Sequence, residues 1–331
     1  MILGNGFSMA YDPHAFGYDA LADHAEAQAH LSAAALRLMK ALGTTDFEEA
    51  MRAIRATIRT LRALNPTGYK KTLTRLEAAE TEIREALAQS VAGLHPERPY
   101  EIDMRCYLSV RRFLRPFDHI FSVNYDLLLY WSLMQEITDG AMRYPSRAHD
   151  DGFRDSGVDG DDTVLWDIYD PFKQTVYYLH GALHLYLGAD GLRKLTWSRT
   201  GEPLVDQVRE QLAIHRFPLY VAEADSPTKL DRINRSAYLS RGLRSLSSVG
   251  GSVIVYGHSL DPNDAHIFEA LVRSKVKRVA VSVYGDPKSS RNRAVIQTAK
   301  DLVGCRAARS PRAPLAVKFF NAEDVALWDP A

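Results

Sequence analysis

Between residues 14 and 117 the apolar positions recur every three or four residues, and almost nowhere every second residue. Segments 19–42, 46–64, 69–92 and 100–114 carry this spacing and are rich in Ala, Leu, Arg and Glu, which predicts a run of helices. Gly43, Asn65-Pro66 and His95-Pro96 mark its breaks. From residue 118 the texture changes. Short apolar runs, "HIFSVNYD" (119–126), "TVYYLHG" (175–181), "PLYVAEA" (218–224), "SVIVYG" (252–257), "RVAVSVYG" (278–285) and "LAVKFF" (315–320), predict buried strands. "LHLYL" (183–187) and "LRKLTW" (192–197) predict a hairpin around Gly188–Gly191. Helical spacing near 227–248, 262–275 and 287–303 alternates with the later strands. Strand followed by helix, repeated, predicts an α/β chain with a Rossmann-like, doubly wound and mostly parallel sheet. On this pattern residues 1–13 and 118–331 form the α/β domain, and 14–117 form an inserted helical subdomain.

Two stretches interrupt the pattern. Met1-Ile2-Leu3 is short for a strand, which suggests that residues once preceded it. Residues 147–170, "RAHDDGFRDSGVDGDDTVLWDIYD", hold eight aspartates. Counted from Asp155, Gly160 fits the sixth position of a calcium loop, but Trp166 stands where the bidentate Glu belongs. The segment therefore reads as a solvated, mobile loop.

Composition narrows the options. Of 331 residues, 46% are apolar and 25% charged, and Lys plus Arg equals Asp plus Glu at 41 each. A neutral chain has no global basic field for nucleic acid, so direct nucleic-acid binding is not expected. The two cysteines, Cys106 and Cys305, exclude a four-cysteine zinc site and a disulfide scaffold. No apolar run reaches membrane-spanning length and no signal-type segment opens the chain, so the expected place is the cytoplasm, away from the membrane.

The candidate chemistry sits at predicted strand ends. "VIVYGHSLDPND" (253–264) looks like half of a serine-hydrolase elbow, G-x-S-x-G. Its last position is Asp261, however, and the only later histidine, His266, lies seven residues on in the next helix, too near to arrive from a later loop. Asp261-Pro262 instead reads as a helix start, with Asp261 or Asn263 as cap. Gly257-His258-Ser259-Leu260 then becomes a ligand turn, where glycine admits a ligand and the helix start offers hydrogen bonds. Gly4-Asn5-Gly6-Phe7-Ser8 has the same character, although Met9 replaces the third glycine of a dinucleotide fingerprint. Asn124 ends a strand, and its plain role would be to cap a helix starting at Asp126. His180 ends another, where a satisfied core histidine is the ordinary outcome. His180 and His184 share a face if the strand continues, but the Glu and the helix of a zinc H-E-x-x-H motif are missing, so no metal is expected. Together, two glycine turns, an Asn and a His fall on the edge where open α/β sheets bind ligands.

Taken in order, Gly4-Asn5-Gly6-Phe7-Ser8, Asn124-Tyr125-Asp126, Leu179-His180-Gly181 and Gly257-His258-Ser259-Leu260 resemble the sirtuin-like NAD-binding family. The closer likeness is to bacterial members of anti-phage defence, in which this domain cleaves NAD. Residues 218–246 look like a bacterial branch of unassigned function. The resemblance implies roles residue by residue. Gly4, Asn5, Gly6, Phe7 and Ser8 would lie along the pyrophosphate and the nicotinamide ribose. Asn124 would position ribose or water, Asp126 would shape the nicotinamide pocket, and His180 would be the general base. Gly257, His258, Ser259 and Leu260, with Tyr284, would hold the adenosine half. Deacylating sirtuins carry a four-cysteine zinc module that two cysteines cannot build, and Tyr125 replaces the aliphatic residue usual between that Asn and Asp. The resemblance therefore implies NAD as substrate for hydrolysis to nicotinamide and ADP-ribose, in a gated effector. Gating would come from a homo-oligomer, a regulatory partner protein or the helical insertion. The other expectations are a non-catalytic NAD or ADP-ribose sensor, and an ADP-ribosyl transferase or deacylase.

Overall fold

A computed structural model describes residues 1–331 other than 66, 146–147, 159, 168–172, 223–224 and 330–331. Its centre is a six-stranded sheet of β1 (Ile2–Leu3), β2 (Ile120–Ser122), β3 (Val176–Tyr178), β4 (Gly250–Tyr256), β5 (Lys275–Val283) and β6 (Ala316–Asn321). Every neighbouring pair in it is parallel, and the spatial order is β3-β2-β1-β4-β5-β6. The two-residue β1 is the central strand: Ile2 pairs with Val255 on one side and Phe121 on the other. Parallel strands buried on both faces need continuous apolar runs, and β1, β2 and β3 are buried throughout.

Alternation along each strand sends neighbouring residues to opposite faces. Ile2, Phe121, Tyr177, Val255 and Val281 form one cluster with Ile267, Leu271, Val295 and Ala299 from the helices Ala265–Arg273 and Ser290–Arg309. Leu3, Ile120, Val176 and Tyr178 belong to the other cluster, with Ile54, Ile83, Val110 and Leu114. Helices thus cover both faces. The helices between β1 and β2, from Pro13–Phe16 to Met104–Leu114, share a continuous core with the sheet.

The expected helices are present with refinements. Segment 19–42 divides into Tyr18–Ala27 and Ala33–Leu42, with Ser32 capping the second through Ala35 N–H. Segment 227–248 divides into Ser226–Asn234 and Ala237–Ser248. The expected hairpin forms between Leu185–Leu187 and Leu192–Leu195. Residues 218–222 form no strand; Tyr220 makes a single bridge to Gly181, and residues 223–224 lie outside the described residues.

The acidic stretch corrects the loop expectation. Phe153–Asp155 and Thr163–Trp166 are strands, joined with the hairpin in a four-stranded antiparallel sheet. Its aspartates find cations: Asp150 pairs with Arg154, Asp151 with Lys194 and Asp161 with Arg193. Arg193 and Lys194 lie far along the chain, so an isolated reading of the acids overstates their solvation. Residues 147, 159 and 168–170 of this stretch lie outside the described residues.

Candidate functional site

In an open parallel sheet, ligands bind beyond the carboxyl ends of the strands where the strand order reverses. Here that point lies between β1 and β4, and the two glycine turns meet there. Gly4 N–H donates to Tyr256 O at 2.9 Å and Gly6 N–H to Gly257 O at 2.8 Å. A Cβ on Gly6 would stand 2.5 Å from Gly257 Cα, and one on Gly257, whose φ is +66°, 2.6 Å from Gly6 Cα. The backbones touch only because neither residue has a side chain. Gly257→Ala should therefore cost at least about 1–3 kcal/mol through forced separation and a strained φ, seen as a lower denaturation midpoint with an unchanged slope.

Asn124 stands just past β2. Its Nδ2 donates to Ser8 Oγ at 2.9 Å, and Ser8 Oγ donates to Asp126 Oδ2 at 2.5 Å. Asp126 Oδ1 accepts from Leu128 N–H at 2.9 Å. The helix begins at Leu128, so Asp126, not Asn124, supports its start. Burial pushes the Asp126 carboxyl up, against the hydrogen bond from Ser8. Asn124 Oδ1 is buried and has no hydrogen-bond partner among the described residues. Such an orphan acceptor costs about 1–3 kcal/mol, and a ligand hydroxyl or a water would relieve it.

His180 is 2% exposed. Its Nε2 lies 3.0 Å from His266 Nε2 and 3.7 Å from Asp264 Oδ1. His266 Nδ1 lies 3.0 Å from Ser226 Oγ, which also accepts the His266 backbone N–H at 2.9 Å. Asp264 is the hub. It meets Lys229 Nζ at 2.9 Å, while its other oxygen lies 3.3 Å from His258 Nε2. His258 Nδ1 accepts from Leu260 N–H at 2.9 Å, which leaves the proton on Nε2, toward Asp264. Lys229, itself fully buried, also reaches Glu48 Oε2 at 2.5 Å. Glu48 Oε1 lies 2.8 Å from the Tyr125 hydroxyl.

Charge in this cluster follows from burial and pairing. Burial works to lower the Lys229 ammonium, but the Glu48 and Asp264 carboxylates outweigh it and hold it above its ordinary value. Burial works to raise Asp264; Lys229, then His180 and His258, hold it well below the usual carboxylate range. Burial pushes the Glu48 carboxyl up despite Lys229. It also drives His180 well down, and His266 to about 4. His95, whose Nε2 accepts from Leu127 N–H at 3.1 Å, is likewise lowered to about 4 by burial.

These depressed histidines set an acid limit on stability. The unfolded chain binds protons below about 6.5 while the folded one does not until about 4. Stability should be intact above pH 6.5 and fall between 6.5 and 4, by on the order of 3 kcal/mol for each of His95 and His266. Urea unfolding at a series of pH values checks this; a flat midpoint across that window would contradict it.

A cavity of about 580 Å³ opens over these groups. Of the residues singled out from sequence, Asn5, Asn124, Asp126, His180, Gly257, His258, Ser259 and Leu260 line it. Gly4, Gly6 and Ser8 lie beneath as support. Phe7 is fully buried with its ring edge-on to Trp328 at 5.2 Å, and Tyr284 is 74% exposed; neither lines the cavity. Ser259 makes no hydrogen bond among the described residues, and Asp261 caps the turn Pro262–Asp264 through Asn263 N–H. His184 parts from His180 because Gly181, at φ +78°, turns the chain between them. Its ring packs against Tyr130 and Tyr178, and neither nitrogen has a hydrogen-bond partner among the described residues.

Sequence reasoning missed Glu48, Lys229, Asp264, His266 and Ser226. One signal was available: Lys229 is in i,i+4 register with the buried Ile233, so a cation sits on an apolar stripe. Glu48 looks like an ordinary acid in a helix first turn. The helices between β1 and β2 also supply much of the cavity wall, including Phe16, Phe47, Arg52, Leu87 and Val91.

The strand order and the meeting of glycine turns at the reversal are compatible with a Rossmann-like α/β fold. Within that class the chain belongs to one family, described as "Domain of unknown function (DUF4917)", whose model matches residues 1–328. No curated protein sequence and no solved structure matches the chain. Among the described residues no helix is long and apolar enough to cross a membrane.

Proposed function

We propose that the protein is a sirtuin-like NAD glycohydrolase, hydrolysing NAD to nicotinamide and ADP-ribose in the cavity at the sheet's reversal point. One observation carries the reading: Asn124, whose Oδ1 has no partner among the described residues, and the neutral His180 both line one cavity beside the two glycine turns. Breaking the nicotinamide–ribose bond builds an oxocarbenium-like centre, as in glycoside hydrolysis. Nicotinamide leaves as a neutral base and needs no acid. What remains is a positioned water and a base, and Asn124 and His180 supply these types. Ser8 and Asp126 fix the Asn124 amide, so that its oxygen faces the reacting ribose or the water. Gly257 and Ser259 line the adenosine side.

The residues 14–117 act as an inserted helical unit that walls the cavity and so controls access to it. Uncontrolled NAD loss would kill a cell, and a gated effector of anti-phage defence, held by self-association or by a partner protein in the cytoplasm, fits that need. The alternatives are an NAD or ADP-ribose sensor and an ADP-ribosyl transferase or deacylase. Incubation with NAD, alone and with neighbouring gene products, should release nicotinamide. Asn124→Ala should lower the rate by about 10²-fold or more. Tight binding without turnover in both settings would instead favour the sensor.

A further inference from the structure

We propose that Arg291 recognises a phosphate on the adenosine ribose, so that the 2′-phosphorylated dinucleotide, NADP, is a substrate of the same cavity. The inference rests on the NAD-hydrolysis reading and widens its substrate class. The bond broken is the same in both dinucleotides. Water adds to the ribose carbon, nicotinamide leaves neutral with the bonding electron pair, and one proton passes to solvent.

The sheet fixes which part of a dinucleotide Arg291 meets. Neighbouring strands stand about 4.8 Å apart, and four of them run in the order β2-β1-β4-β5. With the nicotinamide ribose at Asn124, just past β2, the diphosphate lies over the touching turns that follow β1 and β4. The adenosine then extends toward β5. The helix Ser290–Arg309 comes next in the chain after β5, and its Arg291, Ala294 and Thr298 line the cavity. Positions three and four apart share one helix face. A different face, with Val295, Ala299 and Leu302, packs on the sheet. The two smaller residues of the cavity face leave room for a sugar or a base, and Arg291 stands at its start.

The charge of Arg291 is available. The other arginine of the cavity, Arg52, is engaged by Glu49 at 3.5 Å, Asp261 at 3.7 Å and Asn263 Oδ1 at 3.3 Å. Arg291 is exposed and has no hydrogen bond or ion pair among the described residues. In dinucleotide folds an acid selects the free 2′-hydroxyl, whereas an arginine accommodates the 2′-phosphate. The acid that follows β5, Asp286, accepts from Lys288 N–H at 2.8 Å and does not line the cavity. The group offered at this end is therefore the guanidinium, whose fork of N–H donors suits phosphate oxygens.

Two measurements on the full chain test the assignment. Calorimetry with ADP-ribose and with its 2′-phosphate compares ligands that differ by one phosphate. Wild type should bind the phosphorylated form more tightly, and Arg291→Gln, at an exposed position, should cut that preference by about tenfold or more, with Arg291→Lys recovering part of it. In turnover, wild type should release nicotinamide from NADP as well as NAD, and Arg291→Gln should lower the ratio of their kcat/KM values by a similar factor, mainly through KM for NADP. Cleavage of NAD alone, or an Arg291→Gln variant with the wild-type preference, would overturn the proposal; equal weakening of both ligands would place Arg291 on the shared diphosphate instead. A wild type that prefers the 2′-phosphate but releases nicotinamide from neither dinucleotide would sink the hydrolysis reading and leave the phosphate site standing. Binding of neither ligand would sink both.

Discussion

Lys229→Met should destabilise the protein by about 3–5 kcal/mol, among the largest effects expected of any single substitution. Lys229 is fully buried and is the common cation of two carboxylates, Glu48 and Asp264. Taking it away leaves two half-buried acids from distant parts of the chain, their side chains 23% and 13% exposed, without their cation. Both would then titrate above the ordinary carboxylate range, because burial disfavours their charged forms. A raised folded-state pKa stabilises below the unfolded value and is lost as pH rises. The gap between wild type and Lys229→Met should thus narrow toward pH 5 and widen toward pH 8. Adding Glu48→Gln should recover part of the loss at pH 8. Urea titrations at the two pH values measure it; a loss below about 1 kcal/mol at pH 8 would mean that the cluster is solvated and not a buried network.

The second large effect is catalytic. His180→Ala should reduce nicotinamide release by about 10²–10⁴-fold, with NAD binding largely kept. On the proposed reading the base is lost, while the glycine turns and Asn124 that would hold the substrate stay in place. His180 also contacts His266 and lies near Asp264, so a stability check must accompany the assay. His180→Gln, which preserves a polar contact to His266, should fold better than Ala and be equally inactive. Equal turnover in Ala, Gln and wild type would remove His180 from the chemistry.

Much of the sheet was legible because parallel strands buried on both faces leave unbroken apolar runs, as in residues 252–257 and 278–285. Even the two-residue β1 announced itself, through the Gly4-Asn5-Gly6 turn beyond it. Asn124 and His180 stood out because both end such runs, and the structure sets both in one cavity wall. The charged cluster was not legible. Its members come from residues 48, 180, 229 and 264, with Lys229 separated from Glu48 by 181 positions and from Asp264 by 35. Only folding makes neighbours of them. His184 misled for a related reason. Its spacing from His180 implies a shared face only if the strand continues, and Gly181 ends that geometry. Asp126 did what Asn124 was expected to do, because a carboxylate two residues before Leu128 reaches its N–H, while the Asn124 amide is turned to Ser8. The acidic stretch 147–170 hid strands because two of its pairing cations, Arg193 and Lys194, lie in the later hairpin.

The most direct test of the central claim is proton NMR of NAD incubated with the purified protein, with and without the products of neighbouring genes. The account predicts nicotinamide and free ADP-ribose appearing in equal amounts with the wild type, and neither with His180→Ala. NAD that stays intact while bound, or nicotinamide released with the ADP-ribose fixed to an acceptor, would contradict it.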